Sequence, residues 1–283
     1  MKRESILVLV AVLLALSPLV SLALGKWVEY WRLVTNLGDE PAYIAMAILL
    51  YYLVDQRVGI TVLLALATSA WVNVFAKNTL RLPRPPRELW LAEADGYGFP
   101  SGHTQTSTTF WASLSLETRR VGVYVLGATI VGVVGLSRLL LNVHYPRDVI
   151  GGLVLGLVAS IAVYFAGRKI SLKPREAALV LLAYGAAVAL LYFFQQDAYF
   201  LRLGGLIVGL AVYPIGGEKI DLRGSGASRR VPLAILALVI AFSLTQLAKS
   251  QLPLLQFFLY LVTGLAAVSI PALKTIGRRV AAG

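Results

Sequence analysis

Apolar stretches of about 20 residues, the length of a helix that crosses a bilayer, recur along the whole chain and are separated by short polar loops. Inside a bilayer only helices and closed barrels satisfy every backbone hydrogen bond. The composition excludes an ordinary soluble domain, because 58% of the 283 residues are hydrophobic and only 14% are charged. The sequence therefore predicts an all-α, polytopic membrane protein.

Ten apolar segments are candidates for membrane spans, six before residue 169 and four after it: 1–25, 41–55, 58–77, 102–117, 121–141 and 147–167, then 176–195, 199–216, 231–248 and 253–273. We predict a six-span core at residues 1–168 and a C-terminal transmembrane extension at 169–283 whose role the sequence does not assign. The first segment follows a basic start and could be a signal peptide. Its apolar run exceeds the usual 7–15 residues, which favours a retained helix.

The basic residues indicate how the chain is oriented. The net charge of +12 would suggest nucleic acid in a soluble protein, but here lysine and arginine cluster in short loops, as they do on the cytoplasmic side of membrane proteins. If the N-terminus is inside and successive loops alternate between the two sides of the membrane, sixteen of the 26 lysine and arginine residues lie inside. We predict cytoplasmic termini and no nucleic-acid partner. The loop between spans three and four and the loop between spans five and six then share the outer face.

Three polar islands stand out in those two outer loops. They run from Lys77 to Pro85, from Pro100 to His103 and from Ser137 to Asp148, and they contain both histidines of the chain. Lys77, Arg84 and Arg138 suit a phosphate, because guanidinium groups bind phosphoryl oxygens bidentately and lysine supplies a point charge. One such cation near a helix end would be read as snorkelling to the interface. Three beside two histidines favour a binding site.

The second island reads Pro-Ser-Gly-His at the entry to the fourth span. Ser101 and Gly102 could form an anion nest, with free amides at the helix N-terminus facing the phosphate. The alternative is an ordinary serine N-cap, and for Pro-Ser-Gly alone that alternative would be preferred. The attached His103 favours the anion site.

The third island holds His144 and Asp148, one helical turn apart. A carboxylate in that position orients the imidazole and makes its other nitrogen more nucleophilic, although an isolated pair could equally be an interfacial histidine and a helix-end carboxylate. With two histidines, His144 could attack phosphorus and form a phosphohistidine while His103 serves as general acid and then base. A metal site is disfavoured because the cations would repel Zn²⁺ or Mg²⁺; we predict no metal and no cofactor.

Taken together, the patterns Lys-x6-Arg-Pro, Pro-Ser-Gly-His and Ser-Arg-x5-His-x3-Asp resemble the phosphatidic acid phosphatase type 2 superfamily. The residues that match its motifs are Lys77, Arg84, Pro85, Pro100, Ser101, Gly102, His103, Ser137, Arg138, His144 and Asp148. The resemblance covers roughly residues 40–168. It implies a six-helix core, an active site at the outer membrane face, a histidine nucleophile and dephosphorylation without metal. The superfamily's soluble haloperoxidases are disfavoured by the membrane spans.

The substrate stays open at this level. A lipid phosphate or diphosphate is the first choice, whether polyprenyl diphosphate, phosphatidate, phosphatidylglycerol phosphate or a sphingoid phosphate. Five apolar or aromatic loop residues could guide its tail or simply form an interface belt: Leu89, Trp90, Leu91, Tyr97 and Phe99. The alternatives are a phosphatase or phosphotransferase for water-soluble sugar phosphates, and a non-catalytic lipid transporter or scaffold. Comparable C-terminal extensions occur in sphingosine-1-phosphate phosphatase-like and glucose-6-phosphatase-like branches, but no motif chooses between them.

Overall fold

All regular structure in the described residues is helical, which confirms the predicted fold class. The computed structural model describes residues 2–169, 172–216 and 226–280, so three stretches of the predicted extension (170–171, 217–225 and 281–283) lie outside it. The helices are α1 (Lys2–Ala23), α2 (Trp27–Thr35), α3 (Glu40–Leu49), α4 (Gln56–Leu80), α5 (Gly102–Thr118), α6 (Val121–Leu140), α7 (Pro146–Lys169), α8 (Pro174–Gln195), α9 (Tyr199–Leu210), α10 (Tyr213–Gly216), α11 (Ala227–Ala248) and α12 (Pro253–Val280). Two 3₁₀ turns, Asn36–Gly38 and Arg87–Leu89, and a π turn, Leu50–Val54, complete the structure.

Six helices of the described part are long and apolar enough to cross a membrane: Glu4–Ala23, Gln56–Leu80, Val121–Leu140, Pro146–Lys169, Pro174–Gln195 and Ala227–Ala248. A bent pair, Trp27–Gly38 with Glu40–Val54 at 47°, brings the number to seven if it is counted as one span. By length and composition, the predicted spans at 102–117 and 199–216 fall short, the second corresponding to a shorter apolar helix, Tyr199–Ile215. The predicted span at 253–273 corresponds to the apolar helix Pro253–Ser269 and to residues 270–273, whose side chains lie outside the described part of the chain.

The helix α5 falls short for a different reason, because its polar side chains are buried. Its buried polar residues are Thr104, Gln105, Ser107, Thr108, Thr109, Ser113 and Ser115. Several of these hydroxyls bond the carbonyl one turn earlier, as Thr108 does to Thr104 O at 2.7 Å. A polar group that is hydrogen-bonded in this way can be buried at low cost. The helix is therefore an interior element rather than a lipid-facing one.

The chain divides into two compact units. The first contains residues 1–44 and 68–167, and every predicted site residue belongs to it. The second contains residues 45–67 and 168–283. Within the second unit, α8 and α9 approach at glycines: a Cβ on Gly185 would lie 2.8 Å from the carbonyl of Gly204. Small residues allow such close backbone contact. The predicted boundary at residue 168 and the role of the extension stay predictions.

In the first unit, small residues on α7 let it pack closely against the start of α5. A Cβ on Gly152 would lie 2.6 Å from the carbonyl of Ser101, and one on Gly156 would lie 2.7 Å from that of Gln105. One turn further on, Ser160 Oγ donates to the Thr109 carbonyl at 3.0 Å. The spacing of four keeps these residues on one face of the helix. The second and third polar islands are held together by this contact.

We expect Gly152→Ala to lower the stability of the protein. Its methyl group would collide with backbone rather than with a movable side chain, and overpacking of this kind costs about 1–3 kcal/mol. Gly132→Ala is the control, because a Cβ there meets nothing within 4 Å and alanine is the better helix former. Thermal unfolding in detergent micelles measures both variants. An unfolding temperature for Gly152→Ala at or above that of Gly132→Ala would contradict the expected packing.

Candidate active site

The third island forms a buried histidine–carboxylate pair where α7 begins. Pro146 opens the helix, so Asp148 lies in its first turn and His144 just before it. His144 Nδ1 is 3.3 Å from Asp148 Oδ2, and these side chains are 2% and 0% exposed. The Tyr145 amide donates to the same oxygen at 2.9 Å. The carboxylate is thereby fixed in position to accept from Nδ1 of the imidazole.

The first island contacts the other side of the same imidazole. Arg84 Nη1 lies 2.7 Å from His144 Nε2. A guanidinium has only donors, so Nε2 must be the acceptor and Nδ1 the protonated nitrogen. Arg84 is itself held by backbone carbonyls, through Nη1 to Val143 at 2.8 Å and Nη2 to Asp95 at 2.8 Å. The structure therefore assigns the lone pair of His144 to Nε2, the nitrogen a nucleophile would use.

The second island is tied to the third through its backbone. The Ser101 amide donates to the Asp148 carbonyl at 2.9 Å, and the fully buried Ser101 hydroxyl accepts from Thr104 Oγ1 at 3.1 Å. The expectation that the amides of both Ser101 and Gly102 face an anion is thus wrong for Ser101, because its N–H already has an acceptor. Gly102 is the first residue of α5, where an amide has no acceptor within the helix.

The three predicted cations converge on this region without carboxylate partners. Arg138 is 4% exposed; its Nη1 donates to Thr35 Oγ1 at 2.6 Å, and its Nε has no partner in the described part of the chain. Lys77, in the last turn of α4, donates to the Tyr97 carbonyl at 3.3 Å. No ion pair of the described residues involves Lys77, Arg84 or Arg138. The buried charge of Arg138 in particular requires an anion to compensate it.

The chain also places a carboxylate on the second histidine, which the sequence analysis missed. Asp39 Oδ1 lies 3.1 Å from His103 Nε2. Asp39 follows the turn Asn36–Gly38, in the loop between the first two predicted spans. One signal could have found it, because the predicted topology places this loop on the same outer face as the three islands.

A buried amide network, likewise not predicted, fixes the entry to α5. Asn73 Nδ2 donates to Gln105 Oε1 at 2.8 Å and lies 3.4 Å from the Pro100 carbonyl. Gln105 Nε2 in turn donates to Ser69 Oγ at 3.0 Å. Fully connected buried networks of this type are rigid. They hold the Pro-Ser-Gly-His island in place relative to α4, the helix that carries Lys77.

A cavity of about 1090 Å³ opens beside His103 and Arg138. Its other lining residues come from the end of α2 and the following turn and from the loop before α5: Arg32, Thr35, Asn36 and Asp39, then Arg87, Trp90, Leu91, Ala92, Glu93, Ala94 and Asp95. Trp90 and Leu91 are therefore the predicted apolar guides that line it. Within the described ranges no group of three or more His, Asp or Glu side chains is placed to hold a metal ion. That the site operates without a metal stays a prediction.

The environment of His144 determines when its lone pair is free. Burial is the largest influence and lowers the pKa of His144 to about 4; the hydrogen bond with Asp148 acts in the opposite direction, and the charges of Arg84, Arg138 and Lys77 lower the pKa further. A lowered histidine pKa means that the ring is charged only below that value. From pH 5 to 8 the imidazole of His144 is thus neutral.

We expect a ¹⁵N-histidine NMR titration to show this directly. The chain has two histidines, so selective labelling gives two sets of ring signals, and a His103→Gln variant assigns them. The His144 signals should keep the pattern of a neutral Nδ1–H ring down to about pH 5 and change near pH 4. A midpoint at or above 6.5, the ordinary value, would contradict the buried arrangement.

These observations define a class: a helical membrane protein whose predicted anion site combines three cations with two histidines, each in contact with a carboxylate. A comparison with known protein families matches residues 58–171 of this chain to the PAP2 superfamily. The match confirms the resemblance drawn from the motifs.

Curated relatives differ in what their names say they act on. Glucose-6-phosphatase 3 of Bos taurus is 30% identical over 47% of this chain and 46% of its own length. Phosphatidylglycerophosphatase B of Bacillus subtilis is 29% identical over 35% of this chain and 53% of its own length. Undecaprenyl-diphosphatase of Sulfolobus acidocaldarius is 29% identical over 42% of this chain and 60% of its own length. The chain thus spans about half the length of the curated relatives it matches.

Proposed function

We propose that this protein is a membrane phosphatase that removes phosphate from a lipid phosphate or diphosphate through a phosphohistidine, without a metal. One observation carries the proposal: Arg84 contacts the Nε2 lone pair of His144, and Arg138 and Lys77, which also lack carboxylate partners in the described residues, act electrostatically on the same ring. This combination supplies the two requirements of phosphoryl transfer, which are a positioned nucleophile and fixed positive charge for the equatorial oxygens.

In the first step His144 Nε2 attacks phosphorus in line with the bond to the leaving oxygen. The N–P bond forms as the P–O bond breaks, and a protonated His103 gives its proton to the departing oxygen. Lys77, Arg84, Arg138 and the Gly102 amide bind the equatorial oxygens. Asp148 accepts from Nδ1–H and stabilises the positive charge that develops on the ring.

The second step returns the enzyme to its starting state. The neutral His103 now takes a proton from a water molecule, whose oxygen attacks phosphorus opposite the imidazole. The N–P bond breaks, inorganic phosphate departs, and His144 recovers its lone pair at Nε2. His103 is again protonated, so one water is consumed and one phosphate is released in each cycle.

Two observations support a lipid substrate. The site residues lie at helix ends, with Lys77 and Arg138 in the last turns of α4 and α6 and Asp148 in the first turn of α7. All three helices are candidate membrane spans. The ends of membrane spans are at the level of lipid headgroups, which supports a lipid substrate for a site built there, and the basic loops favour the extracytoplasmic face with cytoplasmic termini. Two of the relatives are also named for lipid phosphates.

A water-soluble sugar phosphate is the second candidate, and the cavity beside His103 favours it. Its lining contains Asn36, Asp39, Glu93 and Asp95 together with the indole of Trp90, groups that suit the hydroxyls and the apolar face of a sugar. The bovine relative is named as a glucose-6-phosphatase. Glucose 6-phosphate is therefore the soluble compound to test.

A panel of phosphate esters tests the proposal and separates the candidates. The purified protein in micelles, with a chelator present, is given phosphatidate, phosphatidylglycerol phosphate, a polyprenyl diphosphate and glucose 6-phosphate, and released phosphate is measured. We expect the highest kcat/KM on a lipid. Release from glucose 6-phosphate alone would replace the first candidate with the second. Binding without release across the panel would point to a lipid transporter or scaffold instead.

A further inference from the structure

Asp39 contacts His103 from a part of the chain that precedes the matched domain at 58–171. We propose that Asp39 is a positioning residue that orients His103 and favours its protonated form, which donates to the leaving oxygen. The inference rests on the proposed function for its chemistry and on the contact itself for its geometry. It gives the site a second histidine–carboxylate pair beside that of His144 and Asp148.

The backbone around Asp39 is built to make this contact. Its own amide donates to the Asn36 carbonyl at 3.2 Å, which closes the turn Asn36–Gly38. Gly38 packs so closely that a Cβ there would lie 2.8 Å from His103 Cβ and 2.8 Å from Val134 Cγ1. Only a residue without a side chain lets the turn approach the imidazole at that distance. The carboxylate that follows is thus carried directly to Nε2.

A second contact anchors the same segment to the site. Thr35, the last residue of α2, accepts a hydrogen bond from Arg138 Nη1 at 2.6 Å and is 7% exposed. The segment from Thr35 to Asp39 therefore contacts two residues of the predicted site, His103 and Arg138, from one side. A surface carboxylate that met His103 only by chance would not come with these two further contacts.

Electrostatics shows why His103 needs such a partner. Burial is the largest influence and lowers the pKa of His103 to about 3; the charges of Arg138, Lys77 and Arg84, with His144 beside them, lower it further, and the start of α5 adds the positive end of the helix dipole. All of these oppose a positive charge on the ring. The other charged groups of the neighbouring cavity are Arg32, Arg87, Glu93 and Asp95. Asp39 is the carboxylate in direct contact, at 3.1 Å, and it opposes the cations.

The contact also assigns the two ring protons. When His103 is protonated, Nε2–H donates to Asp39 and Nδ1–H remains for the leaving oxygen. Once that proton is transferred, Asp39 retains the Nε2–H tautomer and Nδ1 carries the lone pair that accepts a proton from water. The side chains of His103 and Asp39 are 31% and 47% exposed, so solvent screens the pair in part and we expect a moderate effect.

The test compares Asp39→Asn and Asp39→Ala with the control Glu93→Gln, which removes a carboxylate from the same cavity but not from His103. Each is assayed on a lipid alkyl phosphate, whose leaving oxygen needs a proton, and on 4-nitrophenyl phosphate, whose leaving oxygen does not. We expect Asp39→Asn to lower kcat on the alkyl phosphate by about 10- to 100-fold and the initial burst of 4-nitrophenolate from the aryl phosphate by less than threefold. Equal losses on both substrates, or no loss, would overturn the proposal.

A measurement that requires no turnover keeps the two proposals distinguishable. In the ¹⁵N-histidine titration, Asp39→Asn should lower the protonation midpoint of His103 and leave that of His144 in place, with Glu93→Gln close to wild type. If no substrate of the panel is hydrolysed, the proposed function fails and this titration alone decides the role of Asp39. A His103 midpoint that does not change in Asp39→Asn would overturn it, and the retained His144 signal reports that the variant is folded.

Discussion

Replacing His144 by alanine should reduce phosphate release by at least about 10⁴-fold, the scale on which loss of a nucleophile and its activating partners acts. His144 is 2% exposed in its side chain, and its Nδ1 and Nε2 are both engaged, by Asp148 and Arg84. Neither neighbour offers a nucleophilic nitrogen or oxygen in its place, because Arg84 stays charged and Asp148 is fully buried behind the ring. Initial-rate measurements on the preferred lipid phosphate give the size of the loss.

A trapped intermediate identifies the atom that carries the phosphate. Wild-type protein quenched in alkali during turnover of a ³²P-labelled substrate should retain base-stable label on histidine, and His144→Ala should retain none. His103→Ala is the matched control, since it removes the other histidine but leaves the nucleophile; with an aryl phosphate it should still become labelled and then lose the label slowly. Label retained by His144→Ala would exclude it as the nucleophile.

Changing Arg138 to lysine should have the second largest effect, a fall in kcat of about 10²–10³-fold, as for the loss of a group that stabilises transition-state charge. The charge is conserved, but the planar fork is lost: lysine presents its donors from a single nitrogen and cannot offer a phosphate the parallel N–H bonds of a guanidinium. Arg138 Nε is buried without a partner in the described residues, which indicates that this donor is reserved for an anion. Affinity for vanadate, a trigonal-bipyramidal mimic of the transferring group, should fall in parallel.

Arg120→Lys is the control for this change. Arg120 precedes α6, the helix that carries Arg138, but its side chain is 58% exposed and lies 3.9 Å from Glu4. Its replacement should alter kcat less than twofold. If Arg138→Lys behaved like Arg120→Lys in both rate and vanadate affinity, Arg138 would be a structural cation and the phosphate site would depend on Lys77 and Arg84 alone.

Much of this site was readable from residue type and spacing. His144 and Asp148 are four residues apart, and a helix that starts at Pro146 brings them together whatever surrounds it. The Ser101 amide was not readable in the same way. Its bond to the Asp148 carbonyl joins residues 47 positions apart in the chain, and it depends on how closely α7 packs against α5. Only the glycines of α7 hinted at that distance.

Asp39 shows a second limit. It lies 64 positions before His103, and no motif spacing connects the two. The helix α5 shows a third limit. Its hydroxyl-rich sequence was predicted to be a membrane span, although the helix is buried in protein. Sequence patterns for membrane spans describe helices that face lipid, whereas a helix shielded from lipid can carry many polar side chains. The fold class was therefore predictable, whereas the number of spans and the partners of the site required coordinates.

The contact between Arg84 and His144 has a consequence for the order of events in a reaction. The same guanidinium that a phosphate would draw towards its oxygens holds the lone pair of Nε2 in this structure, at 2.7 Å. An electrophile that carries no anionic group offers Arg84 nothing in exchange and meets a nitrogen that is already engaged. In the proposed mechanism an arriving phosphate would release the nucleophile by the act of binding, and we expect reactivity only with compounds that bring their own negative charge.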